Sequence, residues 1–183
     1  MVVHRFILSI LLFVLLATAS VTSASYQLSK KHKAQKKTQP VKVIANYGKY
    51  NIAIRTLDGK VVHLTDYAGT VLLVNLWAPW CTPCTIETPG LAKLYERYHS
   101  KGFNILGVAV QTNESDVRTF MERYHVRWQI GINDTIPKVY GSFGIPNSYL
   151  FDTYGSLIKE FVGFSDEDAL NTLIQSALKS PRK

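Results

Sequence analysis

Residues 71–84 read VLLVNLWAPWCTPC, and this stretch decides the fold. Its first seven residues are apolar apart from Asn75, which is the pattern of a strand buried on both faces within a parallel sheet. Two cysteines, Cys81 and Cys84, follow, and Pro83 between them suits the first turn of a helix because its missing N–H is not needed there. The stretch therefore predicts a buried strand, a short turn and a helix that begins at the cysteines.

The spacing of the two cysteines indicates redox chemistry. The N–H groups at the start of a helix are unpaired and form the positive end of the helix dipole, so a thiolate is stabilised there. Cys81 is thus predicted to attack a disulfide of another protein. Cys84, one turn later and less exposed, is predicted to attack the mixed disulfide that results.

Two other interpretations of the cysteine pair are weaker. A structural disulfide across a loop of two residues closes little chain entropy and would stabilise the fold only slightly. A zinc site would need a second pair of ligands, and His63, His99 and His125 are scattered without ligand spacing.

The rest of the chain predicts alternating strands and helices around this stretch. The helix is expected from about Cys81 to His99, because Leu91, Leu94, Tyr95 and Tyr98 keep the spacing of a buried stripe. The other predicted elements are a hairpin over residues 51–64, a strand at 105–110, a helix from Asn113 or Ser115 to about Tyr124, a short strand at 128–131, a short helix at 136–140, a hairpin of 148–151 with 157–162, and a last helix that Ser165 caps and whose apolar face holds Ala169, Leu170, Leu173, Ile174 and Ala177. This order predicts an α/β fold, a three-layer sandwich in which helices flank a mixed sheet and a hairpin comes first.

The N-terminus has the pattern of an export signal. Arg5 precedes an apolar run over residues 6–16, and small residues follow it up to Ala24. A charged start, an apolar stretch of about 7–15 residues and a small-residue exit are typical of secretory signals. We interpret residues 1–24 as a signal peptide, cleaved after Ala19 or Ala24, or as an N-terminal membrane anchor.

The net charge of +8 belongs to a tail and not to the folded part. Residues 30–42 hold six lysines and no acidic residue, whereas the chain from Val43 onward has a balance of +1. We therefore interpret residues 25–42 as a basic linker, either solvated or close to anionic lipid head groups, and residues 43–183 as the domain. Nucleic acid is not expected as a partner, because a nucleic-acid-binding domain carries its basic residues on the fold itself.

Residues 74–84 and a second segment, GIPNSYLFD at 144–152, resemble the thioredoxin superfamily. The similarity is to the TlpA/ResA-like branch, found outside the bacterial cytoplasmic membrane, and it covers roughly residues 43–180. It implies a thioredoxin-like fold and an exported thiol–disulfide oxidoreductase whose redox centre is the Cys81–Cys84 disulfide, without a further cofactor or metal.

The resemblance also assigns roles to Ile145 and Pro146. In that family the corresponding proline is cis and lies beside the cysteines, and the residue before it offers backbone hydrogen bonds to an incoming peptide. From the residues alone, an Ile-Pro bond just before a strand is compatible with a cis turn but does not predict one, because most X-Pro bonds are trans.

Two further positions distinguish branches of the family. Thioredoxins proper carry an aspartate six residues before the first cysteine, where this chain has Asn75, which cannot take a proton from Cys84. The functional interpretation is that proton handling lies elsewhere, and in either case Asn75 is expected to be a hydrogen-bonded core amide. Glu87 matches an acidic position of the TlpA/ResA-like group, in a run that Pro89 completes, and it is expected on the Cys84 side of the helix. It either acts on the thiols through charge or proton transfer, or is an ordinary exposed glutamate.

We expect the substrate to contact residues on both sides of Cys81. Trp80 is predicted to cover one side of the disulfide, whereas Trp77 is expected to pack in the core. The predicted site consists of Cys81, Cys84 and Glu87 as catalytic residues and of Trp80, Thr82, Pro83, Ile145 and Pro146 as substrate-binding residues.

Two other functions fit the sequence less well than that of an oxidoreductase. A thiol peroxidase has a threonine three residues and a proline seven residues before its reactive cysteine. Counted from Cys81, these positions hold Ala78 and Val74, and counted from Cys84 they hold Cys81 and Trp77. Neither cysteine has the required threonine and proline, so a thiol peroxidase is not expected. A binding module without redox chemistry is disfavoured because both cysteines are present.

The direction of electron flow is left open by the motif, because reduction potentials vary widely among proteins that share it. The resemblance implies a reductant in the periplasm or another extracytoplasmic space, supplied by a membrane thiol electron carrier and acting on apocytochrome c or another exported client. A disulfide-forming oxidant is the alternative.

Overall fold

The structure is a computed structural model, and it describes residues 45–180. The predicted signal peptide or anchor, the basic linker and the start of the domain at residue 43 lie outside these residues. No helix within residues 45–180 is both long and apolar enough to span a bilayer.

The elements follow the predicted alternation of strands and helices. In chain order they are β1 (Ile54–Arg55), β2 (Val61–Val62), β3 (Val71–Trp77), α1 (Thr82–Tyr98), β4 (Phe103–Ala109), α2 (Glu114–Arg123), β5 (Gln129–Ile132), α3 (Ile136–Tyr140), β6 (Asn147–Phe151), β7 (Leu157–Val162) and α4 (Glu167–Lys179), with short 3-10 helices at Gly48–Tyr50, Leu64–Tyr67 and His99–Lys101. The predicted boundaries of the long elements are met to within two residues at each end.

Strand β3 lies at the centre of the main sheet. Among the described residues this sheet has five strands in the order β5-β4-β3-β6-β7. β3 pairs in parallel with β4 and antiparallel with β6. All seven residues of β3 are buried, which explains its nearly continuous apolar sequence. The predicted mixed sheet is therefore confirmed.

The two faces of the sheet pack against different elements. On one face, Leu73 of β3 belongs to the same core as Leu94 of α1 and Ile174 of α4. On the other face, Leu72 shares a core with Ile136 of α3. Since successive residues of a strand point to opposite faces, β3 contributes to both cores. This arrangement confirms the predicted three-layer sandwich.

The first hairpin is confirmed but is shorter than predicted. Only Ile54 and Arg55 pair with β2, so residues 51–53 lie outside the strand. The chain enters a 3-10 helix at Leu64–Tyr67, where the sequence predicted the end of a strand. After β1 the chain also contacts β5, where Thr56 forms an isolated bridge with Gly131.

The contact between the hairpin and β5 requires glycine at position 131. A Cβ atom there would lie 2.5 Å from Ile54 Cγ2 and 2.6 Å from the Arg55 carbonyl oxygen. We expect Gly131→Ala to lower the free energy of unfolding by about 1–3 kcal/mol, because backbone atoms must shift to admit the methyl group. Urea unfolding monitored by circular dichroism measures this change.

The matched control is Gly144→Ala, since a Cβ at position 144 meets no atom within 4 Å. Equal losses of stability in the Gly131 and Gly144 variants would contradict the close packing of the hairpin on β5.

The start of α4 differs from the prediction. Asp166, not Ser165, is the N-cap, and its carboxylate accepts a hydrogen bond from the Ala169 N–H. Ser165 is buried, and its backbone N–H donates to Glu87 instead. Ala169 is exposed, because the buried stripe runs through Leu170, Ile174 and Ala177 and Ala169 falls beside it.

Candidate active site

The two cysteines form a disulfide at the start of α1. Their Cα atoms are 5.3 Å apart, and Cys81 is the N-cap residue of the helix. The Cys84 N–H donates a hydrogen bond to Cys81 Sγ at 3.3 Å. The sulfur thus lies where the first N–H groups of α1 point, as the sequence predicts, and this position stabilises negative charge on it.

Both cysteines are buried, with 4% of Cys81 and 3% of Cys84 exposed. The prediction that Cys84 is less exposed than Cys81 holds only narrowly in the disulfide form. Core packing explains the result, because both residues belong to the hydrophobic cluster between the sheet and α1. A substrate must consequently fit closely against the surrounding surface to reach the Cys81 sulfur.

Trp80 stands beside the disulfide and is 58% exposed. Its indole Nε1–H donates to the Gln111 carbonyl oxygen at 3.0 Å. Thr82 and Pro83, in the first turn of α1, are also exposed. Trp77 is buried and packs against the Phe120 ring, with ring centroids 4.5 Å apart, so the prediction that it belongs to the core is confirmed.

The Ile145–Pro146 peptide bond is cis, as the resemblance implied. Asn147, the next residue, pairs with Leu76 in the register of β6 with β3. This register places the bond at the same end of the sheet as the segment that leads from β3 to Cys81. Pro146 is buried and Ile145 is half-buried. The two segments singled out in the sequence thus meet at one edge of the sheet.

A hydrogen-bond network that the sequence did not indicate holds the loop before Pro146. The amide of Asn147 donates to Ser142 Oγ at 3.0 Å and to Glu160 Oε1 at 3.1 Å. The Ser142 hydroxyl in turn donates to the Gly144 carbonyl oxygen. The start of the loop is therefore tied to the first residue of β6, which is itself linked to β7.

Asn75 is a core amide. It is buried in β3, and its Nδ2 donates to Ser148 Oγ of β6 at 2.9 Å. The predicted hydrogen-bonded core amide is confirmed. An amide cannot act as a carboxylate beside the cysteines.

Glu87 is the buried carboxyl group near the disulfide, and only 3% of it is exposed. The alternative of an ordinary exposed glutamate is therefore wrong. Glu87 Oε2 accepts a hydrogen bond from the Ser165 N–H at 3.4 Å, and Oε1 has no hydrogen-bond partner among residues 45–180. Burial raises the pKa of Glu87 from its ordinary value of 4.5 to about 7, and hydrogen bonding from Ser165 opposes this shift in part.

Glu87 also lines a cavity of about 170 Å³ between α1 and the start of α4. Lys93, Phe164 and Glu167 line the same cavity. A carboxyl group with a pKa near 7 exchanges its proton readily at neutral pH, which is what a proton acceptor or donor for a thiol requires. In the part of the chain that the structure describes, no group of three His, Cys, Asp or Glu residues is placed to hold a metal ion.

Comparison with known proteins gives matches over most of the chain. A family model described as Redoxin matches residues 51–174. The thiol-disulfide oxidoreductase ResA of Bacillus thuringiensis subsp. konkukian is 30% identical over 127 residues, which cover 68% of this chain and 73% of that protein. The chain belongs to the Redoxin family.

Solved structures agree with this assignment. A thiol:disulfide interchange protein of Chlorobium tepidum is similar with a TM-score of 0.64 and 25% identity, covering 69% of this chain and 92% of that one. The thioredoxin domain of a thiol-disulfide oxidoreductase from Bacteroides vulgatus gives a TM-score of 0.62 and 28% identity, with the same coverage. This Redoxin-family protein is a thiol–disulfide oxidoreductase of the TlpA/ResA-like branch of the thioredoxin superfamily.

The structure brings most of the predicted site residues of this Redoxin-family protein together. The cysteines and Trp80 lie at the edge of the sheet that also carries Ile145 and Pro146, and Glu87 lies one helical turn beyond Cys84. Sequence reasoning missed Ser165 as the partner of Glu87, and it missed the contact of Trp80 with Gln111. No local pattern signals either contact, because both join residues far apart in the chain.

Proposed function

We propose that this oxidoreductase reduces disulfides of exported proteins outside the cytoplasm. The observation that carries the proposal is the Cys81 sulfur at the start of α1, within hydrogen-bond distance of the Cys84 N–H. The export pattern of residues 1–24 supports the location. The similarity to the ResA-like branch supports the reducing direction and apocytochrome c as one client.

In the proposed reaction the reduced enzyme attacks a client disulfide. The Cys81 thiolate forms a bond to one client sulfur, and the other client sulfur leaves as a thiolate that takes up a proton. Cys84 then loses its proton and attacks Cys81 Sγ, which releases the second client sulfur. Two electrons pass from the enzyme dithiol to the client, and the enzyme is left with the Cys81–Cys84 disulfide that the structure contains.

We propose that Glu87 accepts the proton that Cys84 loses in the second step. Glu87 lies three residues after Cys84 and therefore on the same side of α1. Its raised pKa lets it accept a proton at neutral pH and return it later. The reaction needs no cofactor beyond the disulfide itself, and a membrane thiol carrier would restore the dithiol.

Trapping in cells tests the direction and the clients. We expect Cys84→Ser, expressed with its own N-terminal segment, to accumulate mixed disulfides between Cys81 and exported cysteine-containing proteins, because the second attack is missing. Non-reducing electrophoresis and mass spectrometry of the extracytoplasmic and cytoplasmic fractions measure these adducts. Thiol alkylation of the wild-type protein in the same cells should show mainly the dithiol form.

A wild-type protein that is mainly in the disulfide form, with its trapped clients otherwise reduced, would establish an oxidant instead. Adducts found only with cytoplasmic proteins would contradict the proposed location. Cys81→Ser is the matched control, since it retains one cysteine but lacks the predicted nucleophile.

A further inference from the structure

Trp80 is held by a chain of two hydrogen bonds that starts at Asp134. Asp134 Oδ1 accepts a hydrogen bond from the Gln111 N–H at 2.6 Å. The Gln111 carbonyl oxygen accepts one from the Trp80 indole at 3.0 Å. One backbone unit therefore connects an exposed carboxylate after β5 to the aromatic ring next to the reactive cysteine.

The backbone at Gln111 is unusual. Its φ is 50°, in the left-handed region that glycine favours, and among the non-glycine residues of 45–180 it shares a positive φ only with His125. Such a conformation persists only where neighbouring groups hold it, and it is often found at functional sites. Two hydrogen bonds engage the Gln111 backbone, one from its N–H to Asp134 and one from the Trp80 indole to its carbonyl oxygen.

Trp80, the residue before Cys81, forms one wall of a groove of about 790 Å³. The other walls come from Lys138 of α3 and from the loop with Phe143 and Ile145. Phe143 is fully exposed, although a large aromatic side chain gains free energy when it is covered. The groove is thus bounded by aromatic and aliphatic surface on both sides.

The position of the groove next to Cys81 indicates that a side chain of the client polypeptide occupies it. It runs from the residue before Cys81 to the residue before the cis-proline, so a polypeptide whose sulfur reaches Cys81 must place neighbouring side chains there. The charged groups of the lining are Lys138 and Asp134, and the Asp134 carboxylate is already engaged by Gln111. Since Trp80, Phe143 and Ile145 form apolar walls and the charges of Asp134 and Lys138 are of opposite sign, the groove favours an uncharged apolar side chain.

We infer that Asp134 is a positioning residue for substrate selection, which acts through Gln111 to hold Trp80 as the wall of a groove for a bulky apolar side chain near the client cysteine. This inference rests on the proposed exchange with protein clients and adds the class of client sequence. Asp134 does not touch the reacting sulfurs, so it changes which clients bind well and not the bonds that are exchanged.

Kinetics with matched peptides test the inference. Each peptide contains one cysteine, which is linked to glutathione by a disulfide bond. Phenylalanine or alanine occupies either the position directly before the cysteine or the position directly after it. We expect the reduced wild-type enzyme to prefer phenylalanine in at least one position, with a second-order rate constant about tenfold higher, as is usual for an apolar pocket. In Asp134→Ala this ratio should fall to about twofold, because the wall is no longer fixed.

Two further variants separate positioning from general damage. Asp134→Asn keeps an oxygen that can accept from the Gln111 N–H and should restore the preference. Glu114→Ala, an exposed acidic residue of α2, should leave the preference unchanged. A direct readout is the exchange of the Trp80 indole proton with solvent, followed by NMR, which should be faster in Asp134→Ala and unchanged in Asp134→Asn.

Equal rates for the phenylalanine and alanine peptides with the wild-type enzyme would overturn the inference, and so would an unchanged preference in Asp134→Ala. Loss of the preference in Asp134→Asn as well would overturn the role of the acceptor oxygen. By contrast, a wild-type enzyme that exchanges with no peptide disulfide would contradict the proposed function itself.

Discussion

Replacement of Cys81 with serine is expected to reduce disulfide exchange to the rate of the uncatalysed reaction. The Cys81 sulfur accepts a hydrogen bond from the Cys84 N–H at the start of α1. A serine hydroxyl at this position does not attack disulfides at neutral pH. The reduction of insulin, or of a peptide disulfide in the presence of glutathione, measures the loss. Serine is also a good N-cap residue, so α1 should be retained.

Cys84→Ser provides the contrast to this variant. It keeps the attacking sulfur, so we expect one rapid reaction with a disulfide and then arrest as a mixed disulfide. Circular dichroism and urea unfolding of both variants show whether the fold is intact. Stable adducts with Cys81→Ser and none with Cys84→Ser would reverse the roles of the two cysteines.

Glu87→Gln is expected to stabilise the disulfide form of the enzyme at alkaline pH. Burial raises the pKa of Glu87 from 4.5 to about 7, so the folded protein holds a proton that the unfolded chain releases. The contribution of Glu87 to stability is therefore full below pH 4.5 and is lost as the pH rises to 7. Above pH 7 the free energy of unfolding is lower by about 3 kcal/mol than at acidic pH on this account. Glutamine does not ionise, so Glu87→Gln should not show this loss.

Urea unfolding of the oxidised protein between pH 4 and pH 8 tests this expectation. The wild type should lose stability across that range relative to Glu87→Gln, and the two should be close at the acidic end. Glu96→Gln, an exposed position of α1, is the matched control and should follow the wild type. Lys93 and Glu167 face the same cavity, but they form an ion pair at 3.4 Å, so their effects on Glu87 oppose each other.

The same substitution should change the reactivity of the thiols. If Glu87 takes the proton of Cys84, the pH dependence of alkylation or exchange in the reduced wild type has a component near pH 7 that Glu87→Gln lacks. Stopped-flow measurement of the rate against pH shows this component. Superimposable profiles for the two proteins would exclude Glu87 from proton transfer and leave it with a role in stability only.

Much of the fold could be predicted because its signals are local. The continuous apolar run of β3 and the cysteine spacing at α1 each depend on neighbouring residues, and both predictions were correct. The N-cap of α4 was misplaced by one residue because Ser165 and Asp166 are both good caps, and a long-range contact decides between them. That contact is the hydrogen bond from Ser165 to Glu87, 78 residues earlier.

The site was predicted less completely than the fold for the same reason. A glutamate at the third position after Cys84 indicates which side of the helix it occupies, but its burial depends on how α4 packs over it. The strained backbone of Gln111 has no signal in its side chain either, since glutamine is not a residue that favours a positive φ. Both features depend on contacts between strands and between the layers of the fold, which the local sequence pattern does not specify.

In the disulfide form the Cys84 N–H points to Cys81 Sγ, and because it belongs to the backbone of a regular helix we expect it to keep this direction throughout catalysis. The same N–H can face Cys81 when its sulfur is joined to Cys84, when it is joined to a client, and when it is a free anion. All three species can therefore share a single conformation at the start of α1. We expect the redox cycle to involve little backbone reorganisation there, so that binding and release of the client, and not refolding of the helix end, set the pace of turnover.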